Sequence, residues 1–185
     1  MSYCDYIRSE SAREPHISYH DTEYGFPADD DTILFERLVL EINQAGLSWE
    51  TILKKRSGFR AAYNGFDVRQ VARYDEAEVA RLLADPGIIR NRLKVAAAIH
   101  NAKVVLALQG EYGSFRAWLD RSHPLPKPEW VKLFKRTFKF TGGEIVGEFL
   151  MSLGYLPGAH DEQCPIGQQI LALRPPWARE DEVGK

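Results

Sequence analysis

Long apolar runs are missing from this chain. The longest, Val95 to Leu108, is broken by His100, Asn101 and Lys103, so no segment approaches the roughly 20 apolar residues that a membrane span needs. No run alternates convincingly with period two, which argues against strands. No internal repeat occurs. Cysteine is scarce: the only two, Cys4 and Cys164, lie at opposite ends. The start shows no charged-then-apolar signal segment, and the expectation is a cytoplasmic protein with reduced thiols.

What remains is ordinary globular composition. The 185 residues are 44% hydrophobic and 27% charged, enough for one full core or two small lobes sharing one. The net charge of -2 hides an asymmetry. Residues 1–46 carry ten acids against three bases, whereas residues 47–139 carry eighteen bases against nine acids. Such a split suits a protein with one polyanion-binding face, and it also suits a set of solvated helix faces.

Helical patterns dominate. Ile33, Leu34, Leu38 and Ile42 recur at helical spacing after Asp29 to Asp31, and Gly46 ends a helix near Ala45. Ser48 caps Trp49 to Lys55, Asp67 caps Val68 to Arg73, and Asp75 with Glu78 opens a segment through Ala84. After the Asp85-Pro86-Gly87 turn, Arg90 to Leu108 reads as a long helix with an alanine-rich face. Phe115 to Asp120, Glu129 to Arg136 and Glu144 to Leu153 complete the set. Asp120 to Trp130 reads as a compact proline-rich loop, and Arg174 to Lys185 as a frayed, charged tail.

Three constellations carry chemistry. Each cysteine has a histidine along the chain, His20 and His160, and zinc takes four such ligands in a tetrahedron. His160 and Cys164 have a spacing that lets both reach one ion. Cys4 and His20 are separated by fifteen residues, and only the fold could bring them together. Two unrelated thiols or a Cys4 to Cys164 disulfide fit the same positions. The second constellation is the hairpin Gly87-Ile88-Ile89-Arg90-Asn91-Arg92-Leu93-Lys94, where helix-start amides and three cations suit a phosphate, or form a plain connection with exposed arginines. The third is Glu41. It lies three residues beyond Leu38, beside the face assigned to the core, where an ionised carboxylate is costly unless paired. It is either paired with an arginine or a helix start, or it walls a pocket for a cationic ligand with Trp49 and Tyr19 as ring faces.

In order along the chain, Tyr19-His20-Asp21-Thr22-Glu23-Tyr24-Gly25, Gln44-Ala45-Gly46-Leu47-Ser48-Trp49, the Gly87 to Lys94 hairpin, Phe138-Lys139-Phe140-Thr141-Gly142 and the His160 to Cys164 ending resemble the bacterial DNA-3-methyladenine glycosylase I (Tag-type) family of the helix-hairpin-helix glycosylase superfamily. The resemblance runs from Cys4 to Cys164. It implies an all-α, helix-hairpin-helix DNA glycosylase fold in which a structural Zn2+ on Cys4, His20, His160 and Cys164 staples the N- and C-terminal segments. Residues 1–173 would form one unit, with 24–140 as the helix-hairpin-helix core, 1–23 with 141–173 as the stapled lobe, and 174–185 as an unordered tail.

The implied activity is removal of 3-methyladenine from alkylated double-stranded DNA by a monomer with no membrane association. Glu41 would be the catalytic and base-binding acid, with Tyr19 and Trp49 against the base. Leu47, Gly87, Ile88, Arg90, Arg92 and Lys94 would contact DNA. A purine alkylated at N3 is already cationic, so such an enzyme must recognise the cation and admit water more than protonate a leaving group. The absence of any acid between Arg90 and Gln109 fits this pattern. Departures from the family are Tyr6 and Tyr24 in place of tryptophan, a longer Cys4 to His20 segment, and the short Asp120 to Trp130 stretch. These leave open a non-catalytic or altered-specificity DNA-binding member of the same fold.

Overall fold

The computed structural model describes residues 2–182, and among them the chain is helical with no strand, as the sequence pattern predicts. The helices are α1 (Tyr3–Arg8), α2 (His16–Thr22), α3 (Asp31–Gln44), α4 (Trp49–Ala62), α5 (Val68–Val71), α6 (Glu76–Ala84), α7 (Arg92–Tyr112), α8 (Phe115–Ser122), α9 (Lys127–Thr137), α10 (Gly143–Ser152) and α11 (Pro165–Ala172).

Helix α3 lies at the centre. Asp30 starts it by accepting the Thr32 amide at 2.7 Å, which satisfies one of the orphan donors of a helix start. Leu34, Phe35, Leu38, Val39 and Ile42 are buried, and α4, α7, α8 and α10 pack around them. Truncating a core residue such as Leu38 to Ala would cost about 2–5 kcal/mol. A helix enclosed in this way buries polar residues as well: Glu36, Arg37, Glu41 and Asn43 are all inside. Glu36 accepts from Arg56 at 2.6 Å and Arg60 at 2.9 Å. Arg37 donates to Glu23 and to the Ser152 carbonyl, each at 3.3 Å, and Asn43 donates to the Val39 carbonyl at 2.8 Å. Glu41 has no such partner among the described residues.

Several boundaries differ from expectation. Helix α4 continues past Lys55 to Ala62, and Gly58 in its middle lets the Gly87 carbonyl approach so closely that a Cβ there would collide with it. The glycine is thus a packing requirement rather than a helix stop. Helix α7 starts at Arg92, not Arg90, because the Asn91 side chain takes the cap, accepting from the Leu93 and Lys94 amides at 3.0 and 3.1 Å. The expected Asp120 to Trp130 loop shrinks to residues 123–126, since α8 runs to Ser122 and Pro128 is accommodated in the first turn of α9, where a missing amide hydrogen costs nothing. The expected unordered tail is docked at its start: Pro175 and Pro176 are buried, and the Trp177 amide donates to the Gly154 carbonyl at 3.1 Å. Residues 183–185 of that tail lie outside the described residues.

The short helices α1 and α2 tie the start of the chain to its end. Ser2 caps α1 in a reciprocal box with Asp5, and the Ser2 hydroxyl reaches Asp161 at 2.8 Å. Glu23, just past α2, takes a bidentate grip from Arg56 of α4 at 2.6 and 2.7 Å. Such paired charge-assisted bonds fix orientation as well as contributing energy.

Candidate active site

A cavity of about 920 Å³ opens where α1, α2, the end of α3, the start of α4 and α10 converge. Tyr19, Tyr24, Glu41, Trp49, Glu148 and Met151 are among its lining residues. Tyr19, Tyr24 and Leu53 form a small apolar cluster separate from the main core, with Tyr3 and Trp49 packed against it. The rings are arranged as walls: Tyr19 and Trp49 have centroids 5.2 Å apart at 62°, and Tyr19 and Tyr24 lie 5.7 Å apart at 36°.

Glu41 is 4% exposed, and its side chain makes no hydrogen bond or salt bridge among the described residues. Arg37, the nearest candidate to clamp it, is engaged by Glu23 and Ser152 and lies over the Tyr19 ring at 5.1 Å. Burial pushes the Glu41 carboxyl up to about 8, Glu148 adds to the rise, and Arg37 opposes it. An acid so placed holds its proton near neutrality until a cation arrives. The Tyr19 hydroxyl is also buried in this cavity without a partner among the described residues. Two unsatisfied polar groups among rings are what a planar, hydrogen-bonding, positively charged ligand would complete.

The turn that follows α3 sits at the cavity mouth. Gly46 adopts φ +79, a left-handed conformation, and turns the chain so that Leu47 is 38% exposed at the tip. The Leu47 carbonyl is held by the Gln44 side chain at 3.0 Å, and Ser48 caps α4 through the Thr51 amide at 3.2 Å.

The hairpin between α6 and α7 is tight. Asp85 accepts the Gly87 amide at 2.7 Å, and Lys55 holds the Pro86 carbonyl at 2.7 Å. The amides of Ile89, Arg90 and Arg92 have no partner among the described residues, and the Arg90 and Arg92 side chains are exposed. Two expectations need correction. Lys94 does not face a phosphate: it is 5% exposed and donates to the carbonyls of Asn43 at 2.8 Å and Ala45 at 2.7 Å. The α3 carbonyls, orphaned at the helix end, attract it inward. The Ile88 side chain is 2% exposed and its amide donates to the Asp85 carbonyl at 3.5 Å, so neither is open to a ligand.

The four cysteine and histidine residues meet. Cys4, His20, His160 and Cys164 each offer one ligand atom, and these atoms lie within 4.8 Å of one another. His20 Nε2 is 3.3 Å from Cys4 Sγ and 3.8 Å from Cys164 Sγ. His160 Nδ1 is 3.6 Å from Cys4 Sγ and 3.5 Å from Cys164 Sγ. A tetrahedral ion with bonds of about 2.3 Å to sulfur and 2.0–2.1 Å to nitrogen puts its S···N edges at about 3.6 Å, so the set fits a metal ion. Outer contacts aim both rings: His20 Nδ1 meets Asp21 at 2.7 Å, and His160 Nε2 meets the Tyr24 carbonyl at 2.6 Å. Such partners fix the tautomer that leaves the other nitrogen free to ligate.

Sequence reasoning passes over Tyr3 and Glu148, and it takes Tyr24 only as a departure from the family rather than as a pocket residue. The Tyr24 hydroxyl donates to Glu148 at 3.1 Å across 124 positions of chain, and no local pattern signals that contact.

The chain matches the methyladenine glycosylase family over residues 9–128. It is 36% identical over 173 residues to DNA-3-methyladenine glycosylase 1 of Escherichia coli K12, covering 83% of this chain and 91% of the relative. The 3-methyladenine DNA glycosylase I structure from Staphylococcus aureus superposes with a TM-score of 0.76 at 31% identity, over 84% of this chain and 93% of the other. A variant of 3-methyladenine DNA glycosylase I solved in complex with 3-methyladenine is also similar, with a TM-score of 0.76 at 31% identity over 84% and 94% of the two chains.

Proposed function

This chain belongs to the methyladenine glycosylase family, and from that membership we propose that it is a base-excision repair glycosylase that flips 3-methyladenine from alkylated duplex DNA and hydrolyses its N-glycosidic bond. One observation carries the reading for this chain: a buried, unpartnered carboxylate, Glu41, in a ring-walled cavity.

The chemistry asks little of an acid. In the damaged nucleoside the purine is a cation, and when its bond to the sugar breaks the electron pair moves to the purine nitrogen, so the base leaves neutral. The sugar then carries the positive charge until water adds and loses a proton. Glu41 recognises the base while it is charged and stabilises the cation as charge passes towards the sugar; Tyr19 and Trp49 hold the ring. Normal bases bring no charge and gain little from the cavity. Selectivity therefore comes from recognition, and rate from the lesion's own weak bond.

On the DNA side, the free amides of Ile89, Arg90 and Arg92 with the Arg90 and Arg92 side chains bind phosphates without reading sequence. The hairpin with α6 and α7 is then the helix-hairpin-helix element, within a core of residues 24–140. Leu47 at the cavity mouth fills the space that a flipped nucleotide leaves. Cys4, His20, His160 and Cys164 hold one structural Zn2+ that joins residues 1–23 to 141–173; with all four positions taken by protein, the ion serves folding rather than hydrolysis. Its thiolates suit a reducing compartment such as the cytoplasm, where the protein acts as a monomer.

Incubating the protein with methylated duplex DNA and measuring free base tests the reading. The expected result is release of 3-methyladenine and abasic sites in equal amounts. Salt-dependent DNA binding by folded protein without release of base would leave a binding protein, not an enzyme.

A further inference from the structure

Glu41 is not the only acid in the cavity. Glu148, on α10, lines the same space, and the Tyr24 hydroxyl donates to one of its oxygens at 3.1 Å. Its other oxygen has no hydrogen-bond partner among the described residues. Arg37, Arg56 and Arg60 of α3 and α4 form no ion pair with either acid, since they are bound to Glu23 and Glu36. Lys127 lies over Gly147 beside Glu148 and forms no bond with it. Of the other acids lining the cavity, Glu50 and Asp161 pair with Lys54 and Arg8 and Glu144 is exposed, which leaves Glu41 and Glu148 to repel each other unless a proton or a cation is shared between them. The unpartnered Tyr19 hydroxyl, fully buried in the same cavity, shows that the space is built for something polar.

We infer that Glu148 is a second specificity-determining residue of this pocket, a carboxylate oriented by Tyr24 that acts with Glu41 to select purine cations over neutral purines of the same shape. The inference rests on the cavity being the base pocket. An N3-alkylated adenine presents amino N–H donors that the carboxylates accept, and adjacent ring nitrogens that accept from Tyr19. A neutral adenine meets the same rings and, apart from the N3 methyl group, fills the same outline, but it brings no charge to offset the Glu148 carboxylate. Glu148 thus adds little to shape recognition and much to charge recognition.

The probes are 3,9-dimethyladeninium, a permanent cation with a methyl group where the sugar attaches, and neutral 9-methyladenine, each titrated against the full chain by calorimetry. The intact protein should prefer the cation. Glu148→Gln keeps the size and an acceptor for Tyr24, and it should weaken the cation about tenfold while changing the neutral base less than about twofold. Tyr24→Phe, which frees Glu148 from its donor without touching the charge, should lower the same preference about threefold. Loss of both probes to the same extent, or an unchanged preference in both variants, would overturn the inference and leave Glu148 a structural residue. If the intact protein binds neither probe, the base-pocket reading falls along with it.

Discussion

The Lys94 ammonium donates to the carbonyl oxygens of Asn43 and Ala45, at 2.8 and 2.7 Å, and so holds the end of α3 from the first turn of α7. The helix that begins at the hairpin is thereby joined to the turn that presents Leu47. Lys94→Met should remove two charge-assisted bonds and lower stability by about 2–3 kcal/mol in denaturant unfolding. The more telling effect is on the turn: single-turnover excision should fall by about tenfold or more, while free-base binding stays within about threefold. A uniform loss of both would show that Lys94 serves stability alone.

Glu41 makes stability depend on pH in an unusual direction. Its folded-state carboxyl is raised to about 8, whereas in the unfolded chain it titrates near the ordinary glutamate value of about 4.3. Between these values the folded protein holds the extra proton, so stability from this group is present at low pH and declines as pH rises through the window. The slope approaches about 1.4 kcal/mol per pH unit. Unfolding curves at several pH values should show this decline in the unmodified protein and a flatter profile in Glu41→Gln.

The cysteine and histidine cluster is linked to the pocket through Tyr24, whose carbonyl meets His160 at 2.6 Å. Zinc content measured on purified protein should be about one ion per chain. Chelation, or His160→Ala, should lower the melting temperature sharply before any effect on chemistry is separable, because metal binding and folding are coupled. Protein that is free of metal yet melts at the same temperature would exclude the staple.

Arg90 tests the hairpin. Arg90→Ala should weaken duplex binding regardless of sequence and reduce the slope of log affinity against log salt by about one. Free-base binding should not change, since Arg90 is not a lining residue of the cavity.

Much of this architecture is legible in the sequence, for identifiable reasons. Helices α3 and α6 follow from helical periodicity and capping residues, and Glu41 stands out as an acid beside a core face. The inward turn of Lys94 had a signal too: it lies three, four and seven positions before Ala97, Ala98 and Asn101, all buried on one face of α7. Its charge argued for solvent, and the orphan carbonyls of α3 outweighed that argument. Helices α1 and α2 are six and seven residues long, too short for periodicity to register. Glu148 has no sequence signal, because its meaning depends on Tyr24 folding across from the other end of the chain.

The most direct measurement is single-turnover release of 3-methyladenine from methylated duplex by the unmodified protein and by Glu41→Gln, with melting curves and DNA affinity measured alongside. Two carboxylate-dependent effects, base capture and charge stabilisation, should together slow the variant by about a hundredfold, with folding and DNA affinity retained. Release at the unmodified rate by Glu41→Gln would contradict the assignment of that carboxylate as the group that recognises the damaged base.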